Sequence, residues 1–334
     1  MISLGDLAQS FMLRQQNLHL RQDMNRLSQE MTTGRVTDPA RHLSGDYSYL
    51  ADMERSLGVL DGFRTSVTEA GVFTAGMQTV LDHVQSLSSD LGLKLIGGAN
   101  GGASDLNGIL SRDAAGQMDR IVEALNTRIA GRSLFAGNAT DRPALAPASD
   151  ILAGLRAAIG GQTTVAGIQA AVDLWFDTPG GGFDTVAYTG SATGLSPYRL
   201  GRTGTVDLDL RADSPALREV LKQTAIAALA DDGALALTAQ ARADLLRQAG
   251  EGIVSAQDRL TTLRADLGFA EARIEEGKVR LASEKTSLEM ARNALLSVDP
   301  FEAATRFQEA QSRLENLYMV TVRLSRLSLA EFMR

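Results

Sequence analysis

Few residues of this chain have the type and spacing that metal or catalytic chemistry requires. The three histidines, His19, His42 and His83, are far apart, and none has a second histidine four positions away or stands in an H-E-x-x-H motif. Closely spaced ligands of that kind are what a helical zinc site uses. We therefore predict no metal site, and we expect these histidines at the surface or partly packed.

Three short segments resemble ligand-binding or catalytic motifs without meeting their requirements. "GGANGG" at 97–102 lacks the Lys-Ser/Thr of a phosphate loop, and "GSATG" at 190–194 places Ser191 one position too early for G-x-S-x-G. Asp207, Asp209 and Asp213 lack the spacing and terminal Glu of an EF-hand. We expect a hinge, a turn and a solvated strand face, so the sequence predicts no enzyme, no cofactor and no metal.

The composition predicts long packed helices and excludes several classes of protein. With 334 residues the chain can form two or three domains, and with 5% aromatic residues its core must come from aliphatic side chains. A net charge of −7 argues against binding to nucleic acid. No apolar run reaches membrane-spanning length, and the first residues do not resemble a cleaved secretory signal. The absence of cysteine suits a cytosolic or an exported protein.

Residues 137–215 differ in composition from the rest of the chain. Five of the seven prolines fall between Pro143 and Pro215, and the segment has no Lys and no Glu. "ILAGLRAAIGG" at 151–161 predicts a short helix, whereas "FDTVAYTG" and "GTVDLDLRA" alternate like strands. We predict a small outward-facing α+β insert at 137–215.

Outside the insert, apolar residues follow helical periods. From Ile253 onward, an apolar residue recurs every seven positions and forms one heptad seam. A second seam lies three positions after the first, and most of its residues are small. Glu284 interrupts this second seam, and we expect it to be partly exposed. The N-terminal half repeats the pattern from Phe73 to Leu91, and a further helix is expected from about Leu106 to Ile129. We predict a mainly α fold: an elongated antiparallel helical bundle or coiled coil made by 39–136 and 216–300. The bundle seam is Ile253, Leu260, Leu267, Ile274, Leu281, Leu288 and Leu295.

The two ends of the chain are predicted to be terminal arms, at 1–38 and 301–334, delimited by Pro39 and Pro300. A single helix of this length cannot bury its own apolar stripe, and the arms carry net charges of only 0 and +1. We expect the arms to pair, to be loose in a free monomer and to assemble with neighbouring copies. The expected assembly residues are Leu4, Leu7, Phe11, Leu13, Leu20, Met24, Leu27, Met31, Phe307, Leu314, Leu317, Leu324 and Phe332.

Several segments resemble the bacterial flagellin family over roughly 1–145 and 245–334. They are "MTTGRVTDPA" (31–40), "RIAGRSLFAGNATDRPAL" (128–145) and "LENLYMVTVRLSRLSL" (314–329). The resemblance implies termini that pair to line the inner tube of a filament, a surrounding helical bundle and a variable outer domain. It also implies export through the flagellar type III apparatus without a cleaved signal, hence an extracellular location in the flagellum.

Within the family, the segment 133–143 is most similar to the hook–filament junction branch, the hook-associated protein 3 type. That branch implies as partners copies of itself, another hook-associated protein on the hook side, flagellin on the filament side and an export chaperone. The loop after the first helix departs from the family pattern, because it is shorter and has a single Asp, Asp38. Contacts of the longer loop are therefore not carried over.

Three alternatives remain open at this point. The chain could be flagellin itself, the filament subunit. It could be a cytoplasmic coiled-coil adaptor, which explains the heptads but not the similar apolar ends. It could also carry an enzyme in the insert, although no constellation of acid, base or nucleophile supports this.

Overall fold

The computed structural model describes residues 4–99, 104–233 and 235–332, with only the backbone described for residues 4–7, 9, 99, 104, 105 and 325–332. Long helices dominate these ranges, and the strands form two small antiparallel pairs, which confirms the mainly α fold with a small insert. The chain divides into two compact units, Met1–Leu60 with Ala282–Arg334, and Asp61–Leu281. The elements are α1 Leu4–Thr33, α2 Pro39–His42, α3 Ser48–Ala99, α4 Ser104–Leu125, β1 Arg128–Ile129, β2 Arg132–Ser133, α5 Ala148–Ile159, α6 Val165–Asp177, a π-helical turn Phe183–Ala187, β3 Tyr198–Arg199, β4 Thr205–Val206, α7 Pro215–Leu229, α8 Ala239–Leu295 and α9 Pro300–Phe332.

In the unit 61–281, α3 and α8 run antiparallel and share the predicted heptad seam. Gln78 Nε2 donates to the Arg264 carbonyl at 2.8 Å, and Gln257 Nε2 donates to Ser88 Oγ at 3.0 Å. These pairs give the two helices opposite directions. The seam residues Ile253, Leu260, Leu267, Ile274 and Leu281 are buried. In the other unit, Leu288 and Leu295 are half-buried and Glu284, where partial exposure was expected, is exposed.

The helix predicted to reach Ile129 ends earlier, and a hairpin follows it. Helix α4 ends at Leu125, and β1 pairs with β2 through a tight turn at Ala130 and Gly131, both with positive φ. Ile129 belongs to β1 and packs against α3 where Gly76 leaves room, since a Cβ on Gly76 would clash with Ile129 Cδ1. The apolar period therefore predicted a helix that was too long. Ile129 continues the period, but it packs on α3 from the hairpin and does not belong to α4.

The insert is built around three aromatic rings and is fastened by α7. The ring centroids of Trp175 and Phe176, both in α6, lie 6.5 and 5.4 Å from that of Phe183 and 4.8 Å from each other. From α7, Arg218 stacks over the Phe183 ring and bonds Asp184 at 3.0 Å. A helix assigned from sequence to the bundle thus also holds the insert.

Two strands predicted in the insert are mostly not strands. "FDTVAYTG" forms the π-helical turn, because Phe183 and Ala187 are buried together on one side, and only Tyr188 makes a β-bridge, to Leu145. In "GTVDLDLRA" every second residue from Val206 to Ala212 is buried as predicted, yet only Thr205–Val206 pairs with another strand. Asp207 and Asp209 are exposed, as expected for a solvated face, whereas Asp213 is half-buried and pairs with Arg211.

The strand pair β3–β4 lies against α3 and α8 within the same unit. The Arg199 amide donates to Ser66 Oγ at 3.1 Å, and Arg273 Nη2 donates to the Thr205 carbonyl at 2.7 Å. Leu200 packs on Gly277, where an added Cβ would lie 3.2 Å from the Leu200 Cβ. These contacts hold one end of the insert on the helical bundle.

The glycine-rich segment 97–102 begins within the last residues of α3. Gly97 and Gly98 still belong to α3, whereas residues 100–102 of "GGANGG" lie outside the described residues. Within the described ranges, no helix has the length and apolar content that crossing a bilayer demands.

Candidate functional site: the paired terminal helices

Local signals set the inner ends of the two terminal helices. Helix α1 ends at Thr33, and Gly34 follows with φ +66°, the left-handed conformation that glycine adopts readily at a helix C-terminus. Helix α9 begins at Pro300, and the Asp299 carboxylate accepts a hydrogen bond from the Phe301 amide at 2.8 Å. Proline at the first helical position and an acidic N-cap are favourable, so these residues determine where each arm begins.

A short antiparallel ladder joins the chain segments next to these ends. The Val36 amide donates to the Leu296 carbonyl at 3.0 Å, and the Val298 amide donates to the Gly34 carbonyl at 3.1 Å. Arg35 Nη2 also donates to Asn293 Oδ1 at 2.6 Å. The two arms are therefore held side by side at one end by backbone bonds.

Glu30 is a buried carboxylate in the last turns of α1. It is only 6% exposed and accepts hydrogen bonds from Arg26 Nη1 and, at 3.1 Å, from the Thr37 amide. Burial alone would lower the pKa of Arg26, but hydrogen bonds and charges from Asp23 and Glu30 outweigh burial and raise that pKa. The carboxylate thus ties α1 to the segment that follows it.

Helices α1 and α9 pack against each other, which confirms the predicted pairing of the arms. Leu27 is buried at 4% exposure, and across the arm pair Ala303 and Ala310 are also buried. The remaining residues of this arm seam are half-buried: Leu13, Leu20, Met24, Phe307, Leu314, Leu317 and Leu324.

The expected assembly residues do not share one environment. Phe11 and Met31 are exposed, at 67% and 42%, whereas the others just described face the seam. The side chains of Leu4, Leu7 and Phe332 lie outside the described residues. The assembly role of all these residues stays a prediction.

Other apolar residues are exposed on the arm pair, and sequence reasoning did not select them. Leu18 is 61% exposed although it lies in the middle of α1. Leu18 belongs to a second stripe of helical spacing, two positions before the seam residues in sequence. This spacing could have identified Leu18, but the seam residues contribute most of the apolar pattern. The others are Met12, Phe301, Tyr318, Met319, Val320 and Val322.

The two flanks of the arm pair differ. On one flank, Arg21 Nη2 donates to the Tyr318 hydroxyl at 2.7 Å, and this bond lowers the pKa of the hydroxyl. On the other flank an apolar groove of about 540 Å³ stays open between the helices. The groove is lined by Leu13, Gln16, His19, Leu20, Arg313, Asn316, Leu317 and Val320.

The histidines are separate in the structure as well. His19 lies at the groove, His42 ends α2 and His83 lies in α3. Across residues 4–99, 104–233 and 235–332 there is no group of three or more His, Asp or Glu side chains that could hold a metal ion. What the arm pair offers is exposed apolar surface.

Comparison with known proteins supports this emphasis on the terminal helices. Residues 251–333, which include most of α8 and all of α9, match the model of the bacterial flagellin C-terminal helical region. No curated protein matches the chain.

Two solved structures of flagellar proteins align with this chain. The crystal structure of Bacillus cereus FlgL aligns with a TM-score of 0.52 at 13% identity, covering 73% of this chain and 100% of that chain. A putative flagellar hook-associated protein from Vibrio parahaemolyticus aligns with a TM-score of 0.42 at 15% identity, covering 72% of this chain and 95% of that one. At 13% identity, the likeness to FlgL concerns the fold alone.

A helical region of the flagellin type belongs to structural proteins, which supports a structural rather than an enzymatic role. Residues 251–333 match the bacterial flagellin C-terminal helical region, and the resemblance of the chain to the flagellin family is confirmed in that region.

Proposed function

We propose that this chain is a structural component of the axial part of the bacterial flagellum, at the junction between hook and filament. The observation that carries the proposal is the arm pair: two terminal helices, one of them in the flagellin-type region, that cover each other and leave apolar residues exposed. Apolar patches with little net charge are typical of association surfaces.

The junction role, rather than the filament role, rests on two supports. The segment Ser133 to Pro143 resembles the junction branch of the family. The fold is similar to that of FlgL, which is hook-associated protein 3. On this proposal the partners are copies of the chain, a hook-associated protein on the hook side and flagellin on the filament side. The chain would leave the cell through the type III apparatus, accompanied by an export chaperone and without a cleaved signal.

Flagellin itself is the second candidate, because the matched family region is named for flagellin. The two roles differ in copy number and in neighbours. A junction protein contacts two different neighbours in few copies, whereas a filament subunit mostly contacts itself in many copies.

Deletion of the gene separates these candidates. For a junction protein we expect cells that keep a hook but release filament protein into the medium, with restoration by the intact chain. Cells that make no filament protein at all would instead identify flagellin. Normal motility, with the chain absent from sheared surface filaments, would contradict both and favour the cytoplasmic adaptor.

A further inference from the structure

Helix α1 carries a second stripe of heptad spacing, on the side that α9 does not cover. It runs two positions behind the arm seam, which turns it about 200° around the helix axis. All six side chains of this stripe, hereafter the ridge, are exposed: Phe11, Gln15, Leu18, Gln22, Asn25 and Gln29.

The ridge is unusual because none of its positions carries a charge. The solvent face of a surface helix is normally its charged face. Here Arg14, Arg21, Asp23 and Arg26 all occupy other positions, and Arg26 is turned onto Asp23 and Glu30. A neutral, exposed face with two large apolar side chains has the composition of a covered surface.

The open groove of the arm pair matches the ridge in chemistry. Its floor is apolar, from Leu13, Leu20 and Leu317, and its edge includes Val320, which is 48% exposed. Its remaining rim carries His19, the amides of Gln16 and Asn316, and the Arg313 guanidinium, which can donate to the glutamine oxygens of the ridge.

The two surfaces also match in spacing. Phe11 and Leu18 are seven residues apart, as are the groove residues Leu13 and Leu20. Both pairs therefore repeat at about 10.5 Å along their helices. Equal repeats allow successive ridge side chains to enter successive positions of a helical groove, as knobs do in holes.

We propose that the ridge of one copy docks in the groove of a second copy of this chain. The inference rests on the proposed self-association and specifies which surfaces meet. Ridge and groove occupy different sides of the same arm pair, so the contact is heterologous: each docking leaves one free ridge and one free groove. Such contacts build rings or open helical arrays rather than closed dimers.

A mixing experiment tests this directly. Leu18→Asp places a charge on the ridge and leaves the groove intact, whereas Val320→Asp places a charge in the groove and leaves the ridge intact. Each variant alone should need about a tenfold higher concentration, or more, to assemble, because a buried unpaired charge is costly. An equimolar mixture should form one-to-one complexes and stop there. Sedimentation velocity and light scattering measure both effects.

Leu174→Asp is the matched control, since Leu174 is 67% exposed on α6 in the insert and should leave assembly unchanged. Circular dichroism checks that each variant keeps its helices, and Leu18→Ser with Val320→Ser replaces the pair if a charge reduces helix content.

Three results would overturn the proposal. They are a mixture that associates no better than its components, a single variant that assembles like the wild-type chain, and a wild-type chain that assembles only to dimers or not at all. If the wild-type chain assembles but mixing the two variants does not restore association, the ridge–groove contact is refuted, whereas self-association itself is not. The deletion phenotype tests the flagellar role separately.

Discussion

Lys222, in α7, is a charged residue whose side chain is almost fully buried. Its side chain is 9% exposed, and Nζ lies 3.1 Å from Asp173, 2.9 Å from Asp177 and 3.2 Å from Glu219. Burial alone would lower the pKa of Lys222, but hydrogen bonds to Asp177 and Asp173 and the charge of Glu219 raise it well above its usual value. One cation thus holds α6 to α7.

Replacing Lys222 by Met should destabilise the unit 61–281 by about 1–3 kcal/mol, because three carboxylates lose their common cation while two of them keep contact with water. Urea unfolding of both proteins measures the difference. Lys278→Met is the control, since Lys278 is 60% exposed and pairs only within α8, so its replacement should change stability by less than about 0.5 kcal/mol.

The same measurement carries a pH dependence. A raised pKa in the folded state means that the stability from Lys222 is fully present below the unfolded pKa of about 10.4 and is lost as pH rises above it. The difference between wild type and Lys222→Met should therefore be constant from about pH 6 to 9 and shrink in stronger base. A difference that already falls between pH 6 and 9 would contradict this account.

At the scale of elements, the central packing is the close approach of α3 and α8. Gly92 and Gly250 face each other, and a Cβ on Gly250 would lie 2.9 Å from the Gly92 carbonyl oxygen and 3.0 Å from Leu95 Cβ. These neighbours are backbone and Cβ atoms, which cannot move aside without shifting a helix. The two glycines therefore determine how closely the helices pack.

Gly250→Ala should destabilise the unit by about 1–3 kcal/mol, because overpacking at this crossing exceeds the gain in helix propensity. Gly116→Ala is the matched control: Gly116 lies exposed inside α4 with open space around it, so alanine should stabilise by about 0.5–1 kcal/mol. Thermal unfolding of the two variants should shift the midpoint in opposite directions. A stabilising Gly250→Ala would show that the helices separate easily.

At the scale of the whole molecule, the chain comprises two compact units, and helices α1 and α9 pair in one of them. The arms are nearly neutral while the chain as a whole has a net charge of −7. Arms without strong repulsion can lie close to copies of themselves, and the acidic remainder keeps the chain soluble. That the arms are loose in the free monomer stays a prediction, although each covers the seam of the other in the single chain.

Limited proteolysis tests whether the arms form one cooperative pair. Leu27→Asp places a charge in the buried seam and should cost about 2–4 kcal/mol, so cleavage in α1 and in α9 should accelerate together, by about tenfold or more. Leu18→Asp changes the same helix on its exposed side and should leave monomer cleavage unchanged. Faster cleavage in α1 alone would show that the two helices do not depend on each other.

Long helices could be predicted from sequence because their periodicity is a local property. The seven-residue repeat from Ile253 to Leu295 indicated α8 and its buried seam, and Pro300 indicated where the next helix begins. Short apolar segments were harder to interpret. Ile129 packs where Gly76 leaves room, and Phe183 of the "FDTVAYTG" run packs under Arg218; both partners are distant in sequence.

The sequence by itself determined that both ends are helices with apolar stripes and that the inner helices carry heptad seams. On α1, however, the seam and the ridge both have heptad spacing, and spacing alone does not distinguish them. Tertiary structure decided which stripe is covered, because α9 packs on Leu27 and leaves Leu18 exposed. The physical reason is that periodicity is encoded along one helix, whereas burial depends on the partner that the rest of the fold brings to it.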